Sequence, residues 1–174
     1  LIGDAVASAY SPVRKLTASE RVDAFDCCHL ALNQFLQRFA LVNQKANSAQ
    51  TYVCCQGDAV VGFYSLAVGS VDPASAPTRV MKGLARQPVP VMILARLAVD
   101  AAHQRKGLGQ ALLKDALLRT AQAADIAGIR CLLAHANDDA ARQCYEGWEF
   151  EPSPSDRHHL FLMLKDLSAL IGAT

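Results

Sequence analysis

No apolar run in this 174-residue chain approaches the roughly 18 residues that a membrane-spanning helix needs, so no membrane partner is expected. Internal repeats and low-complexity segments are missing too, which excludes solenoids and disordered arrays. Charge of one sign does not accumulate: 17 Lys and Arg face 16 Asp and Glu, for a net charge of +1. The protein as a whole therefore does not announce a nucleic-acid partner. The six cysteines (27, 28, 54, 55, 131 and 144) form two adjacent pairs and two singles. That pattern is neither a metal-ligand spacing nor a secreted disulfide framework, so no metal is expected. Most of them stand among apolar neighbours, where Cys acts as a small hydrophobe, and a reducing cytoplasm is the expected location. The opening stretch LIGDAVASAY lacks a basic leader, so no secretory signal is expected in it. No initiator Met heads it, and the natural start is expected upstream.

What is present is a folded, globular composition, 52% hydrophobic and 19% charged. The length suits a single domain over residues 1–174 with one core. A short strand is expected at 12–16, then a helical turn capped by Thr17 or Ser19 and reaching Phe25. After a break at residues 26–28, a second helix should place Leu30, Phe35, Leu36, Phe39 and Ala40 on one face. Residues 51–56 and 59–71 are β-branched and aromatic, and Gly57-Asp58 between them predicts a hairpin. Residues 72–90 hold four of the seven prolines and read as a long irregular connection. A strand follows at 91–99, a helix from Leu108 to Ala127 ended by Gly128, and a buried strand at 129–134. Asn137 is expected to cap a short helix carrying Tyr145 and ending near Gly147. Strands at 148–151 and 159–164 close the fold.

The chain is organised around residues 91–113, where an apolar strand stops at Asp100 and a basic turn leads into Gly107-Leu108-Gly109 and a helix. Strand, glycine turn and helix leave several backbone N–H groups pointing at one spot, where the helix dipole also favours an anion. Arg105 and Lys106 add full positive charge. A dinucleotide loop would need a third glycine where Leu112 stands, and a nucleotide-triphosphate loop would end in Gly-Lys-Ser/Thr, which is absent. What remains is Gln104-x-x-Gly107-x-Gly109, which resembles the Q/R-x-x-G-x-G/A loop of the GNAT N-acetyltransferase superfamily. The order β-α-α-β-β, long loop, β-α-β-α-β-β also resembles the GNAT fold. The resemblance implies an α+β, three-layer α/β/α architecture with a splayed mixed sheet flanked by helices.

By that resemblance the ligand is acetyl-coenzyme A. Gln104, Arg105, Lys106, Gly107, Leu108, Gly109 and Gln110 would hold its pyrophosphate, and Leu97, Ala98 and Val99 would offer backbone groups to the pantetheine arm and acetyl oxygen. Asn137 would either cap its helix or also bond the coenzyme. Tyr145 lies eight residues on, about two helical turns, and would be the general acid for the departing thiolate. A phenol near pKa ~10 facing a thiol near ~8.5 makes that transfer mildly uphill, by ~2 kcal/mol. No carboxylate stands out as a base. An α-amine of pKa ~7.7–8.0 is about one-tenth neutral at pH 7, so such a site suits an α-amine better than a lysine side chain.

Four segments carry a narrower resemblance. They are Phe25-Asp26-Cys27 with Leu32-Asn33-x-Phe35-Leu36, and Thr51-Tyr52-Val53 with Val61-Gly62-x-Tyr64-Ser65-Leu66-Ala67. Ala95-Arg96-Leu97-Ala98-Val99-Asp100 with the glycine loop is the third, and Tyr145, Phe150-Glu151-Pro152 and His158-His159-Leu160 the fourth. Together they resemble the GNAT toxins of bacterial toxin–antitoxin pairs, which acetylate aminoacyl-tRNA and stop translation. That resemblance implies a homodimer and a small ribbon-helix-helix antitoxin as partners. It agrees with a local basic zone in which Arg79, Lys82, Arg86 and Arg96 are candidates for phosphate contact. Two departures stand out: Glu149 replaces a customary glycine, and Cys144 stands where Phe is common. The competing readings are a GNAT enzyme of a small amine, polyamine or protein N-terminus, and a binding partner that only supports an antitoxin in repression.

Overall fold

The structure is a computed structural model that describes residues 9–172. Residues 1–8, which hold most of the opening stretch read above for a leader, lie outside the described residues, as do 173–174. In chain order the elements are β1 (Arg14–Lys15), α1 (Leu30–Gln34), a π-helical turn (Phe35–Phe39), α2 (Ala40–Lys45), β2 (Gln50–Gln56) and β3 (Ala59–Val71). A 3₁₀ turn (Pro73–Ser75) and α3 (Thr78–Met81) follow, then β4 (Val89–Val99), a 3₁₀ turn (Ala101–His103) and α4 (Leu108–Ala124). Last come β5 (Cys131–His135), α5 (Asp139–Gly147), β6 (Glu151–Pro152), β7 (His159–Met163) and α6 (Leu164–Gly172). The strands form a seven-stranded sheet in the order β1-β2-β3-β4-β5-β7-β6. β4 and β5 run parallel while β1–β2, β2–β3, β5–β7 and β6–β7 are antiparallel, so the sheet is mixed as expected.

The described residues divide into two compact units, one taking 9–66 with Arg96–Asp115 and the other Ala67–Ala95 with 116–172. In the first, the hairpin is built as expected, with Gly57 at φ 63° entering the two-residue turn between Gln56 and Ala59. Its core gathers Phe25, Leu32, Phe35, Leu36, Val53, Val60 and Phe63, with the Phe25 and Phe63 rings edge to face at 5.4 Å. Polar groups in this interior pair with each other: the Thr51 and Ser65 hydroxyls lie 2.7 Å apart. Tyr64 donates its hydroxyl to the Asp115 carboxylate.

Residues 17–25 are not the expected helix. Thr17 N and Oγ1 do bond the Glu20 carboxylate, as a helix cap would. Arg21 then swings to the sheet instead, donating its N–H to Asp58 O at 2.7 Å and accepting from Val60 N at 2.9 Å. A strand edge with open backbone groups outcompetes a second helical turn. The second helix is interrupted by the π turn, which rotates the apolar stripe. Phe35, Leu36 and Ala40 stay buried, but Leu30 is 71% and Phe39 52% exposed, against expectation.

The second unit has its own core, of Val80, Val89, Val91, Cys131, Leu133, Phe161 and Met163. The connection expected to be irregular contains the Pro73–Ser75 turn and α3, and β4 starts two residues early, at Val89. α4 stops at Ala124 rather than Ala127, where the N–H groups of Ile126 and Ala127 both turn to Ala123 O. Ile126 is 89% exposed, so a further turn would bury nothing. The strand expected at 148–151 shrinks to Glu151–Pro152. α6 was not expected at all; it follows β7 with no turn residue between, and its Leu167 is fully buried.

Candidate active site

β4 leads into the glycine turn, and three interactions fix where it ends. Asp100 donates its N–H to Val61 O at 2.8 Å, and its carboxylate accepts from Asp26 N at 3.0 Å and Ala102 N at 2.9 Å. The next residue, Ala101, returns an N–H to Asp26 O at 2.8 Å. Asp26 is held in turn, its Oδ1 accepting from Asn33 Nδ2 and Cys28 N, each at 2.9 Å. Those bonds hold the Asp26 carboxyl below the usual carboxylate range. The Phe25-Asp26-Cys27 and Asn33 positions thus act as the footing of the turn.

Gln104, expected among the coenzyme ligands, donates its side-chain amide to Val99 O at 3.0 Å and so closes the turn on the strand end. Arg105 (φ 61°) and Gly107 (φ 84°) then take left-handed backbone, an alternation that aims successive N–H groups at one side. The first intrahelical bond of α4 runs from Ala111 N to Gly107 O at 3.1 Å. The amides of Leu108, Gly109 and Gln110 precede it and have no helical acceptor. Arg105, Lys106 and Gln110 are exposed, and Leu108 is buried. A Cβ added to Gly107 would meet nothing within 4 Å, and one added to Gly109 only Val99 Cγ2 at 3.9 Å, so the backbone on this side is open.

The helix is held close to the sheet by a glycine on the strand. A Cβ at Gly62 would stand 2.8 Å from Leu112 Cδ1, and Leu112 is fully buried. Close helix–strand packing, for which dinucleotide loops use a third loop glycine, is met here from the opposite side. Leu97 and Val99 are half-buried and Ala98 buried. Pairing of β4 with β5 runs from Val91↔Cys131 to Leu94↔Ala134, while β4 itself continues to Val99. The pairing stops there because β5 itself ends at His135.

In the second unit, α5 is capped by Asp138 and not by Asn137. The Asp138 carboxylate accepts from Ala141 N at 2.8 Å, whereas Asn137 is exposed one residue earlier. Asp139, at the first helical position, lies 3.0 Å from His158 Nε2 and 3.3 Å from Arg157, which hold its carboxyl below the usual range. The far end of α5 is a Schellman motif: Phe150 N bonds Tyr145 O at 3.2 Å and Glu149 N bonds Glu146 O at 3.0 Å. The hydrophobic contact that accompanies such a motif is made by Phe150 and Tyr145, with ring centroids 5.3 Å apart. Tyr145 is therefore fixed by the way its helix ends. It is 7% exposed, and burial, then the adjacent Cys144 thiol, push its phenol above the ordinary tyrosine value.

The four basic candidates fare differently. Arg79 forms a pair with Asp166 of α6 at 2.7 Å, so its charge is largely answered. Arg96 lays its guanidinium 3.8 Å above the Phe35 ring, and burial holds it below the usual arginine range. Lys82 and Arg86 are exposed.

A family model described as an acetyltransferase (GNAT) domain matches residues 47–152, more than half of the chain. The chain belongs to the GNAT acetyltransferase family. It is 45% identical over 165 residues to a tRNA-acetylating toxin of Mycobacterium tuberculosis, a match covering 95% of this chain and 99% of that one. AtaT complexed with acetyl-methionyl-tRNAfMet superposes with a TM-score of 0.85 at 26% identity, over 92% of this chain and 98% of that one. A tyrosine-to-phenylalanine mutant of AtaT, bound to acetyl-CoA and the C-terminus of the antitoxin AtaR, gives 0.80 at 25% identity, over 94% and 98%.

In this GNAT acetyltransferase Asp26, Asn33 and Asp100 stand in segments that carry the sequence resemblance, but their role in footing the turn was missed, because it rests on bonds across as many as 74 residues of chain. Also missed was Arg130, which donates to Val80 O at 3.0 Å and Lys82 O at 2.9 Å and so pins the segment carrying the basic residues. Glu149 has φ 68°, which explains why glycine is customary there. Glu149→Gly is expected to stabilise the fold by about 1 kcal/mol, raising the melting temperature by about 2–4 °C, with acetyl transfer unchanged. Thermal denaturation checks this; a lower melting temperature would remove the strain argument.

Proposed function

We propose that this acetyltransferase transfers acetyl from acetyl-CoA to the α-amino group of aminoacyl-tRNA and so blocks translation, with residues 1–174 as one GNAT domain. The observation that carries the reading is the near-full-length likeness, at 45% identity, to a tRNA-acetylating toxin. AtaT, which shares the fold, is described with acetyl-methionyl-tRNAfMet and with acetyl-CoA.

The residues present fit the coenzyme: two left-handed positions, three helix-start amides, and open space where a Cβ on Gly107 would stand, with only Val99 Cγ2 at 3.9 Å beside Gly109. When bound, it supplies the acetyl group as a thioester. Residues 105–110 hold its pyrophosphate through backbone N–H groups, Arg105 and Lys106 add charge, and Gln104 keeps the strand end in place. Leu97, Ala98 and Val99 offer backbone groups to the pantetheine arm and the acetyl oxygen, and Asn137 bonds the coenzyme.

Tyr145 gives the proton to the departing sulfur. A buried phenolate is costly, as the raised phenol shows, so Tyr145 regains a proton from the attacking nitrogen rather than waiting as an anion. That no carboxylate stands out in the sequence as a base suits an amine that is already partly neutral near pH 7. Lys82 and Arg86 contact RNA phosphates, with Arg79 and Arg96 contributing only as far as their existing partners allow.

The partners follow the same reading: an antitoxin, supported by AtaT bound to the C-terminus of the antitoxin AtaR, and, from the sequence resemblance alone, its ribbon-helix-helix type and a second copy of the chain. The cytoplasm is the working location, in keeping with free thiols at all six cysteines, four of them buried. No helix among the described residues is long and apolar enough to cross a membrane.

Cell-free translation tests the reading. Added protein should stop synthesis only when acetyl-CoA is supplied, and aminoacyl-tRNA recovered from the stalled reaction should carry an acetyl group. Inhibition without acetyl-CoA, or acetylation of simple amines at comparable rates with RNA untouched, would sink it.

A further inference from the structure

The segment between β3 and β4 is tied to its surroundings from Asp72 to Lys82. Asp72 accepts from Ala74 N at 3.1 Å, Ser153 Oγ donates to Ser75 O at 2.6 Å, and Val80 is fully buried. Arg130 bonds two of the segment's carbonyls, and Arg79 ties it to α6 through Asp166. Beside this segment lies a groove of about 730 Å³, within the size range of small-molecule sites. Its walls include Pro73, Met81, Leu84 and Pro154, with Arg86 and Asp72 as its charged groups. The exposed Lys82 lies on the same segment.

We propose that this groove receives one unpaired nucleotide from the 3′ end of the substrate RNA, an inference that rests on the aminoacyl-tRNA reading above. Arg86, with Lys82 nearby in the chain, meets the phosphate. Met81, Leu84 and the prolines give apolar surface to the base and ribose. A carboxylate repels phosphate, so Asp72 serves the other end of the nucleotide and accepts from a ribose hydroxyl or an exocyclic base amine. The three unpaired nucleotides that end every tRNA, two cytidines and an adenosine, all carry such an amine. In a duplex the bases are stacked and paired, so no single base is free to lie on the apolar walls. An acidic or purely apolar partner would leave either Asp72 or Arg86 unmatched.

The test measures binding of deacylated tRNA, intact or lacking its three unpaired 3′ nucleotides, by fluorescence anisotropy. Wild type should hold the intact RNA about tenfold more tightly. Arg86→Ala should bring that ratio close to one, and Asp72→Asn, which keeps the bond to Ala74 N, should lower it about threefold. Equal affinity of wild type for both RNAs overturns the proposal. So does an equal loss for both RNAs in Arg86→Ala, which would make that side chain a general backbone contact. Acetyl-CoA affinity, followed by calorimetry, should be the same in all three proteins; a fall in either variant assigns the groove to the coenzyme instead. Because the assay needs no acetyl transfer, a protein that discriminates the two RNAs yet acetylates neither aminoacyl-tRNA nor any amine defeats the function and leaves the groove standing.

Discussion

Replacing Tyr145 by Phe is expected to slow acetyl transfer by about 10²–10⁴-fold, the range that a positioned general acid supplies, while acetyl-CoA affinity stays the same. The substitution keeps the ring that packs on Phe150 and the backbone bonds that close α5, so the helix end should survive. Only the proton for the sulfur is lost. The wild-type rate should rise with pH as the α-amine loses its proton, with a midpoint near its ordinary pKa of ~7.7–8.0. Burial raises the Tyr145 phenol, so the neutral, proton-bearing form persists above the pH at which an ordinary tyrosine would ionise. The sign is therefore a plateau, with no falling limb before about pH 10. In Tyr145→Phe the rising limb should remain at the lower rate. Steady-state kinetics on aminoacyl-tRNA across this pH range decide the matter: a kcat within threefold of wild type would remove Tyr145 from the chemistry.

Gly107→Val should weaken acetyl-CoA binding by about 100-fold or more, read by calorimetry. A β-branched residue at φ 84° is a steric outlier, so the turn must leave the left-handed region and carry its N–H groups with it. Gly109→Ala separates the two requirements on this turn. Its Cβ would find only Val99 Cγ2 at 3.9 Å, so the fold should tolerate it and the melting temperature should hardly move. The loop pattern itself accepts alanine at this position, so acetyl-CoA affinity should also stay within about threefold of wild type, in contrast to Gly107→Val. If Gly107→Val binds acetyl-CoA as wild type does, the anion is held elsewhere and the assignment of residues 105–110 fails.

Much of this was legible in the sequence because its causes are local. A glycine needed for positive φ, a basic pair beside it and a strand that stops before it all lie within a few residues, at 99–109. The Gly57 hairpin and the helix bearing Tyr145 were readable for the same reason. What went unread depends on partners distant in the chain. Thr17 and Glu20 form a helix cap, but the open edge near Asp58 and Val60 takes Arg21 away. Arg79 and Arg96 look like free cations until α6 supplies Asp166 and the π turn supplies Phe35. Asn137 and Asp138 are both good caps by type, and only the bond to Ala141 N chooses between them. α6 escaped notice because nothing in the sequence separates it from β7.

Gly62 shows how a single steric demand can be relocated. The gap between α4 and the sheet is set by a missing side chain on β3, not by one on the helix, and Leu112 grows into the space so created. The two positions consequently behave as lock and key across two elements that are remote in the chain. Drift at either should be tolerated only in step with the other, so a scan confined to the loop's own glycines would overlook half of what lets this helix point its amides at an anion.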